Sequence, residues 1–418
     1  MIRPVAGTIA TRVMVTLMNI GVIMIAGHRG GAVMLGDISL VVLAITFIML
    51  LNNVAGGGAI VFLTPRHPLR KLLIPAYAWA IVSAGLALLV VTNFPLAPEG
   101  TAIHVVILAL LQAIYTIHFN VLLGRERIHV INMLQILQAL VLLAAFAVLV
   151  DRSGSVHVMN YVHAAYISYG ITAIASIVVI IGLRWEERND QAPVIGKMFR
   201  QGTFIQIANF LQLLNYRLAY YLIGTFHGLA ALGIYSVSNQ LAESAWLGPR
   251  SIGSVLFGKV SNTANDGENQ RLTVTASKIC IALAVAVVAV IALLPDRVYQ
   301  LMFGEEITGV TELVLLLSPG IVAMALSQGL SHYFSGVGRN MHNMIGSGLG
   351  VIVTIVIGLP LIDEWGAAGA AITASAAYGA NAVYQFIVFT RTAGGSAMQL
   401  WFSIEDRDRI MRLLKKIR

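Results

Sequence analysis

Polar residues break this chain into long apolar stretches. The stretches run over roughly 5–26, 38–63, 72–94, 101–123, 130–150, 158–183, 201–224, 229–249, 272–295, 308–330, 343–361 and 367–390. Each is close to the ~20 residues that an α-helix needs to cross a bilayer. The pattern predicts an all-α, polytopic membrane protein of about twelve transmembrane helices. The connections are short, the longest being 184–200, 250–271 and the tail after Thr390.

Composition sharpens this reading. Hydrophobic residues make up 58% of the 418 positions and charged residues 11%, against about 25% charged in ordinary soluble proteins. Such a chain cannot cover itself with polar groups in water, which argues against soluble enzymes, nucleic-acid binders and secreted modules. The net charge of +8 is therefore read by position. With both termini placed in the cytoplasm, 21 of the 27 Lys and Arg residues fall in cytoplasmic segments. Arg29, Arg152 and Arg297 fall on the opposite face, and Arg12, Arg217 and Lys278 fall inside spans. That bias predicts cytoplasmic termini. The first span carries no small-residue cleavage site. The single cysteine, Cys280, cannot form an internal disulfide, and no cysteine–histidine cluster points to a metal.

The two halves resemble each other. Gly31–Ser39 and Gly228–Ser236 both read G-x-x-x-L-G-x-x-S, at an offset of 197. His118-Phe119 with Gly124-Arg125 and His332-Tyr333 with Gly338-Arg339 both read H-[FY]-x4-G-R, at an offset of 214. Both members of each pair fall on one side of the membrane. The expected domains are a six-helix lobe over 1–183, a cytoplasmic linker over 184–200, a second six-helix lobe over 201–390 and a tail over 391–418. Parallel halves of this kind place a substrate cavity between them in many transporters.

Polar residues at bilayer depth are few. Thr8, Arg12, Thr16 and Asn19 share one face of the first span. Gln206, Asn209, Tyr216, Arg217 and Tyr220 share a face of the seventh. Ser236, Asn239, Glu243 and Trp246 follow one face of the eighth, and Lys278 lies about two turns into the ninth. Ionisable groups at this depth face a cavity or a partner. The bland alternatives are snorkelling for Arg12 and Lys278 and a structural ion pair for Arg217 with Glu243. The candidate substrate-lumen residues are Arg217, Glu243, Arg12, Lys278, Asn209, Asn239, Tyr216 and Trp246. An excess of buried cations suits a phosphate or diphosphate, which guanidinium geometry matches. Aromatic faces could stack on sugar rings.

Ser318-Pro319-Gly320 is expected to interrupt the tenth span and Gly248-Pro249 to end the eighth. In the tail, Ile410, Leu413, Leu414 and Ile417 follow i, i+3, i+4, i+7 among six Lys and Arg residues. That predicts a basic amphipathic helix on the anionic inner leaflet.

Several stretches carry a resemblance. They are Gly31–Ser39, Asn53-Val54-Ala55-Gly56 before Ala59-Ile60-Val61, Gly124-Arg125, Asn215-Tyr216-Arg217, Ala231–Tyr235, Leu241–Trp246, Leu317–Gly320 and Gly336–Arg339. On these the chain resembles the O-antigen and exopolysaccharide repeat-unit flippases of the multidrug/oligosaccharidyl-lipid/polysaccharide exporter superfamily. Where that family's pattern has an acidic residue two after Arg217, this chain has Ala219, which leaves Glu243 as the counter-ion. The resemblance implies a MATE-like fold of two six-helix lobes around a cationic cavity, with Arg217 and Glu243 as lumen positions. It implies transfer of an undecaprenyl-diphosphate-linked oligosaccharide from the inner to the outer leaflet of the bacterial cytoplasmic membrane, in lipopolysaccharide or related polysaccharide biosynthesis. The expected partners are that lipid-linked diphosphate, membrane lipids and a polysaccharide polymerase, with no nucleic acid. No cofactor is implied, and the coupling ion, H+ or Na+, stays open.

Two other readings compete. A multidrug/cation antiporter of the MATE type predicts an acidic lumen, against the buried Arg and Lys excess. A membrane enzyme acting on lipid-linked sugars predicts a large outer loop or a histidine-based catalytic group, and neither is present. No G-x-x-x-x-G-K-[ST] loop exists for ATP.

Overall fold

The computed structural model describes residues 2–64, 67–94, 96–153, 157–183, 194–262 and 265–393. These residues form helices and no strands. In chain order the helices are α1 (Ile2–Gly56), α2 (Gly58–Leu63), α3 (Leu69–Asn93), α4 (Ala102–Gly124), α5 (Ile128–Arg152) and α6 (Val158–Ile181). There follow α7 (Ile195–Glu243), α8 (Leu247–Asn262), α9 (Asp266–Leu293), α10 (Asp296–Phe303), α11 (Val310–Gly336) and α12 (Met341–Ala393). The amphipathic stretch expected over 401–418 of the 391–418 tail and most of the 184–200 linker lie outside the described residues.

Among the described residues, nine helical stretches are long and apolar enough to cross a membrane. Three of them are too long to do so once. α1 has 55 residues, α7 has 49 and α12 has 53. A straight helix of 50 residues would run about 75 Å, more than twice the ~30 Å hydrocarbon core. Each leaves helical geometry at one glycine: Gly31 (φ 67°, ψ −166°), Gly228 (φ 80°, ψ 178°) and Gly366 (φ 55°, ψ −125°). Counting each as two crossings gives twelve, as the apolar pattern predicts. At Gly31 and Gly228 the torsions fall in a region that is nearly closed to side chains and costs other residues about 1–3 kcal/mol. Both are the first glycine of the G-x-x-x-L-G-x-x-S repeat, so this repeat pair has one structural meaning in both halves.

The second repeat pair does not. His118 and His332 both precede a helix end, but the two ends are built in different register. α11 closes with Gly338 at φ 75° and a bond from Arg339 N to Phe334 O of 2.7 Å. α4 closes with Glu126 at φ 58° and a bond from Arg127 N to Leu122 O of 2.9 Å. These are the same left-handed cap, matched at an offset of 212, not 214. Gly124 instead lies inside the end of α4, where a methyl would be 2.8 Å from the Val61 carbonyl oxygen.

The chain divides into two compact units. The first contains the residues up to Leu213, together with Tyr220–Val237 and Asp296–Thr308. Its helices pack through small side chains: Ala109 and Ala113 of α4 and Ala164, Ala165 and Ala173 of α6 are all buried. Close packing of small residues is how helices associate in lipid. Large apolar side chains such as Ile81, Met133 and Ile174 are exposed, as a lipid-facing surface requires. A buried polar chain runs through His118, whose Nε2 meets the Tyr77 hydroxyl and whose Nδ1 lies 2.7 Å from Ser176 Oγ.

The second unit contains Leu214–Ala219, Ser238–Pro295 and the chain from Gly309 onward. Leu256, Val260, Leu330, Tyr333, Phe334 and Phe389 make one of its apolar cores. Both expected proline interruptions are absent. α11 runs continuously through Pro319. The hydroxyl of Ser375 on α12 donates to the Leu316 carbonyl at 2.6 Å and accepts from Gly320 N at 3.3 Å. The Leu315 carbonyl, deprived of its donor by the proline, accepts from Ser318 Oγ at 2.7 Å. Side-chain hydroxyls thus repair the ladder that proline breaks. Gly248-Pro249 does not end the eighth span either. A 3-10 turn over Ser244–Trp246 leads into α8, which extends to Asn262. Pro249 is only the third residue of that helix, where a missing N–H costs little.

Candidate functional site

The break in α7 creates the site. Arg217 lies eleven residues before Gly228 and Glu243 fifteen after it. At 1.5 Å per residue both sit roughly 16–22 Å from the break. Folding back at Gly228 therefore brings two side chains 26 positions apart to similar depth. They form a two-pronged ion pair in the second unit. Arg217 Nη1 donates to Glu243 Oε1 at 2.9 Å, and Nη2 donates to Oε2 at 3.0 Å. Asn239, one turn earlier on the same helix as Glu243, donates from Nδ2 to Oε1 at 2.8 Å. The Arg217 side chain keeps 26% of its surface and Glu243 15%, so the pair is largely shielded from its surroundings. The fork uses two of a guanidinium's five donors.

Trp246 lies three residues beyond Glu243 in the same unit. It is fully buried, its Nε1 donates to the Ile321 carbonyl at 3.0 Å, and its ring meets Tyr378 edge-on at 5.6 Å. The Arg250 guanidinium lies 5.6 Å from the indole centroid, within cation–π range. With its edge bonded and its surface covered, this indole packs as core. Lys278 is buried in α9 of the same unit.

Not every candidate joins the cluster. Asn209 is exposed in the first unit and donates to Gln206 Oε1 at 3.2 Å. Arg12 is exposed near the start of α1. Tyr216 lies on α7, but its side chain is outside the described residues. Among the described residues no group of three His, Cys, Asp or Glu could hold a metal.

Sequence reasoning did not single out Glu306. Its Oε2 accepts from Ala32 N at 2.9 Å, capping the helix that resumes after Gly31. A carboxylate is well placed at such an N-terminus. The sequence shows only an acid in a loop, 274 positions away. α10, immediately before it, lies where only a connection was expected.

The crossing helices, lipid-facing surface and shielded ion pair define a multi-pass α-helical membrane protein. Comparison with known proteins narrows the class. A lipid II flippase, MurJ, solved in an inward closed conformation, matches with a TM-score of 0.71 at 12% identity, over 97% of this chain and 89% of that one. A multidrug resistance MATE family transporter of the MOP superfamily matches in its inward-facing form with a TM-score of 0.63 at 15% identity, over 91% and 94%. An outward-facing form matches with 0.64 at 14%, over 94% and 95%. No curated protein sequence matches. The fold is therefore MATE-like. Residues 105–312, which include Arg217 and Glu243, match the family described as "Polysaccharide biosynthesis protein".

Proposed function

We propose that this protein is a flippase that moves an undecaprenyl-diphosphate-linked oligosaccharide from the inner to the outer leaflet of the bacterial cytoplasmic membrane by alternating access. The observation that carries the reading is the Arg217–Glu243 fork lying inside the segment matched to polysaccharide biosynthesis. In this reading Arg217 exchanges between Glu243 and the substrate diphosphate. The carboxylate keeps the guanidinium oriented and neutralised when the cavity is empty. Two fork-shaped acceptors competing for one guanidinium give a bound state and a resting state of similar electrostatics. Asn239 holds Glu243 in place as the arginine leaves. Arg12, Lys278, Asn209 and Tyr216 are proposed as further lumen positions, and Trp246 as the wall that fixes the Glu243 turn. Two six-helix lobes over 1–183 and 201–390, cytoplasmic termini and a polymerase that consumes the delivered repeat unit complete the proposal.

The test is reconstitution. The full chain in phosphatidylethanolamine/phosphatidylglycerol vesicles should move a fluorescent undecaprenyl-diphosphate oligosaccharide across the bilayer, measured by quenching from outside. It should leave a lipophilic cationic dye untransported under a proton or sodium gradient. Dye transport without lipid movement would replace this reading with the MATE-type antiporter.

A further inference from the structure

The two G-x-x-x-L-G-x-x-S repeats lie against each other. Gly36 is the second glycine of the first copy, and a methyl there would sit 2.1 Å from the Leu229 carbonyl oxygen. Gly233 is the second glycine of the other copy, and a methyl there would sit 1.9 Å from the Ala32 carbonyl oxygen and 3.1 Å from Gly36 N. The contact is reciprocal. In each copy the second glycine receives the carbonyl of the residue just after the other copy's broken glycine. Backbone approaches this close need glycine and bring Cα–H groups onto carbonyl oxygens. All of these residues belong to the first unit, at the end of the spans where few cations lie.

A strap fastens one side of this crossing. Asp296–Thr308 belongs to the first unit although α9 and α11, on either side of it, belong to the second. A methyl at Gly27 would be 1.8 Å from the Phe303 carbonyl oxygen, and one at Gly304 would be 2.6 Å from that of Gly27. His28 Nε2 lies 2.8 Å from the Leu301 carbonyl oxygen. Tyr299, Phe303 and Ile307 anchor the strap, each buried. Its last contact is Glu306, whose carboxylate holds Ala32 N–H at 2.9 Å and lies 2.2 Å from where a Gly31 methyl would be. Ala32 thus joins two devices: Glu306 grips its N–H, and Gly233 presses on its carbonyl.

We infer that Glu306 is the latch of a gate at the cation-poor end, a positioning residue that holds the reciprocal glycine crossing shut through Ala32. Release of the carboxylate frees the N-terminus of the resumed helix and lets the two repeats separate. The gating role rests on the alternating access proposed above, whereas the latch is tested without any substrate.

The experiment uses the full chain carrying Ala32→Cys in phospholipid vesicles, exposed to a membrane-impermeant maleimide. Peptide mass spectrometry reads each thiol separately. Cys280 is fully buried in α9 and reports unfolding. Adding Glu306→Ala should raise the labelling rate at position 32 about tenfold, the scale of one lost charge-assisted hydrogen bond, with Cys280 still unlabelled. Glu306→Gln keeps an acceptor oxygen and should restore most of the protection. Gly233→Ala should also raise labelling at position 32, with Glu306 intact. Unchanged labelling in Glu306→Ala would overturn the latch. Labelling of both cysteines together would overturn it too, because the carboxylate would then be holding the fold and not a gate. The flippase reading fails separately, in the lipid-transfer assay.

Discussion

The breaks at Gly31 and Gly228 share a sequence motif and nearly the same torsions, yet they are secured differently. At Gly31 the Glu306 carboxylate fills the space a side chain would take. At Gly228 nothing lies within 4 Å of that space. The α7 break is fastened at depth, by the Arg217–Glu243 fork. The shared bend falls on the same glycine of the repeat in both halves. The difference comes from the α10 strap, because the connection between α3 and α4 in the other half forms no helix among the described residues. One break is tied at its turn and the other far from it.

The largest effect expected from this comparison is at the first break. Gly31→Ala adds a methyl against Glu306 to the backbone strain of about 1–3 kcal/mol. Gly228→Ala should carry the strain alone. Thermal unfolding in detergent should show a clearly larger loss for Gly31→Ala, and equal losses would mean that Glu306 does not crowd the first break. Next comes the fork. Glu243→Ala leaves Arg217 without its counter-ion, and should cost about 3 kcal/mol, the lower end for a shielded pair because this one keeps some exposure. Restoring the pair in reverse, with Arg217→Glu and Glu243→Arg together, should recover stability but not transport. Recovery of both would show that the fork only braces α7.

Smaller effects should follow at the crossing. Gly36→Ala and Gly233→Ala each force a methyl onto a backbone oxygen, at about 1–3 kcal/mol. The double variant should cost less than the sum, because both changes open one contact. Additive losses would mean two separate contacts. Ser375→Ala, which removes the hydroxyl bridging the ladder beside Pro319, should cost about 1 kcal/mol. Gly85→Ala has open space around it and should leave unfolding unchanged.

Much of this was legible in the sequence because the bilayer imposes a coarse rule. Spans of about 20 apolar residues, and the few charges inside them, mark both the helices and the Arg217–Glu243 pair. Loss of the acid expected at Ala219 correctly left Glu243 to bind Arg217. What stayed hidden depends on contacts far apart in the chain. Ser375 mends α11 at Pro319 from another helix, so proline alone gave the wrong interruption. Glu306 reaches Ala32 from 274 positions away, with no periodicity to betray it. Matching letters also misled at Gly124 and Gly338, because the left-handed cap falls on Glu126 in one half and on glycine in the other.

A fork in α7 that handles the substrate must be needed for transport and not only for folding. The direct measurement is export of surface polysaccharide in cells whose own flippase is deleted, complemented with this protein, Arg217→Ala or Glu243→Ala at matched membrane levels. Wild type should restore export, and each variant should lose it at least about tenfold, equivalent to about 1.4 kcal/mol, while inserting normally. Full export by both variants would contradict that role.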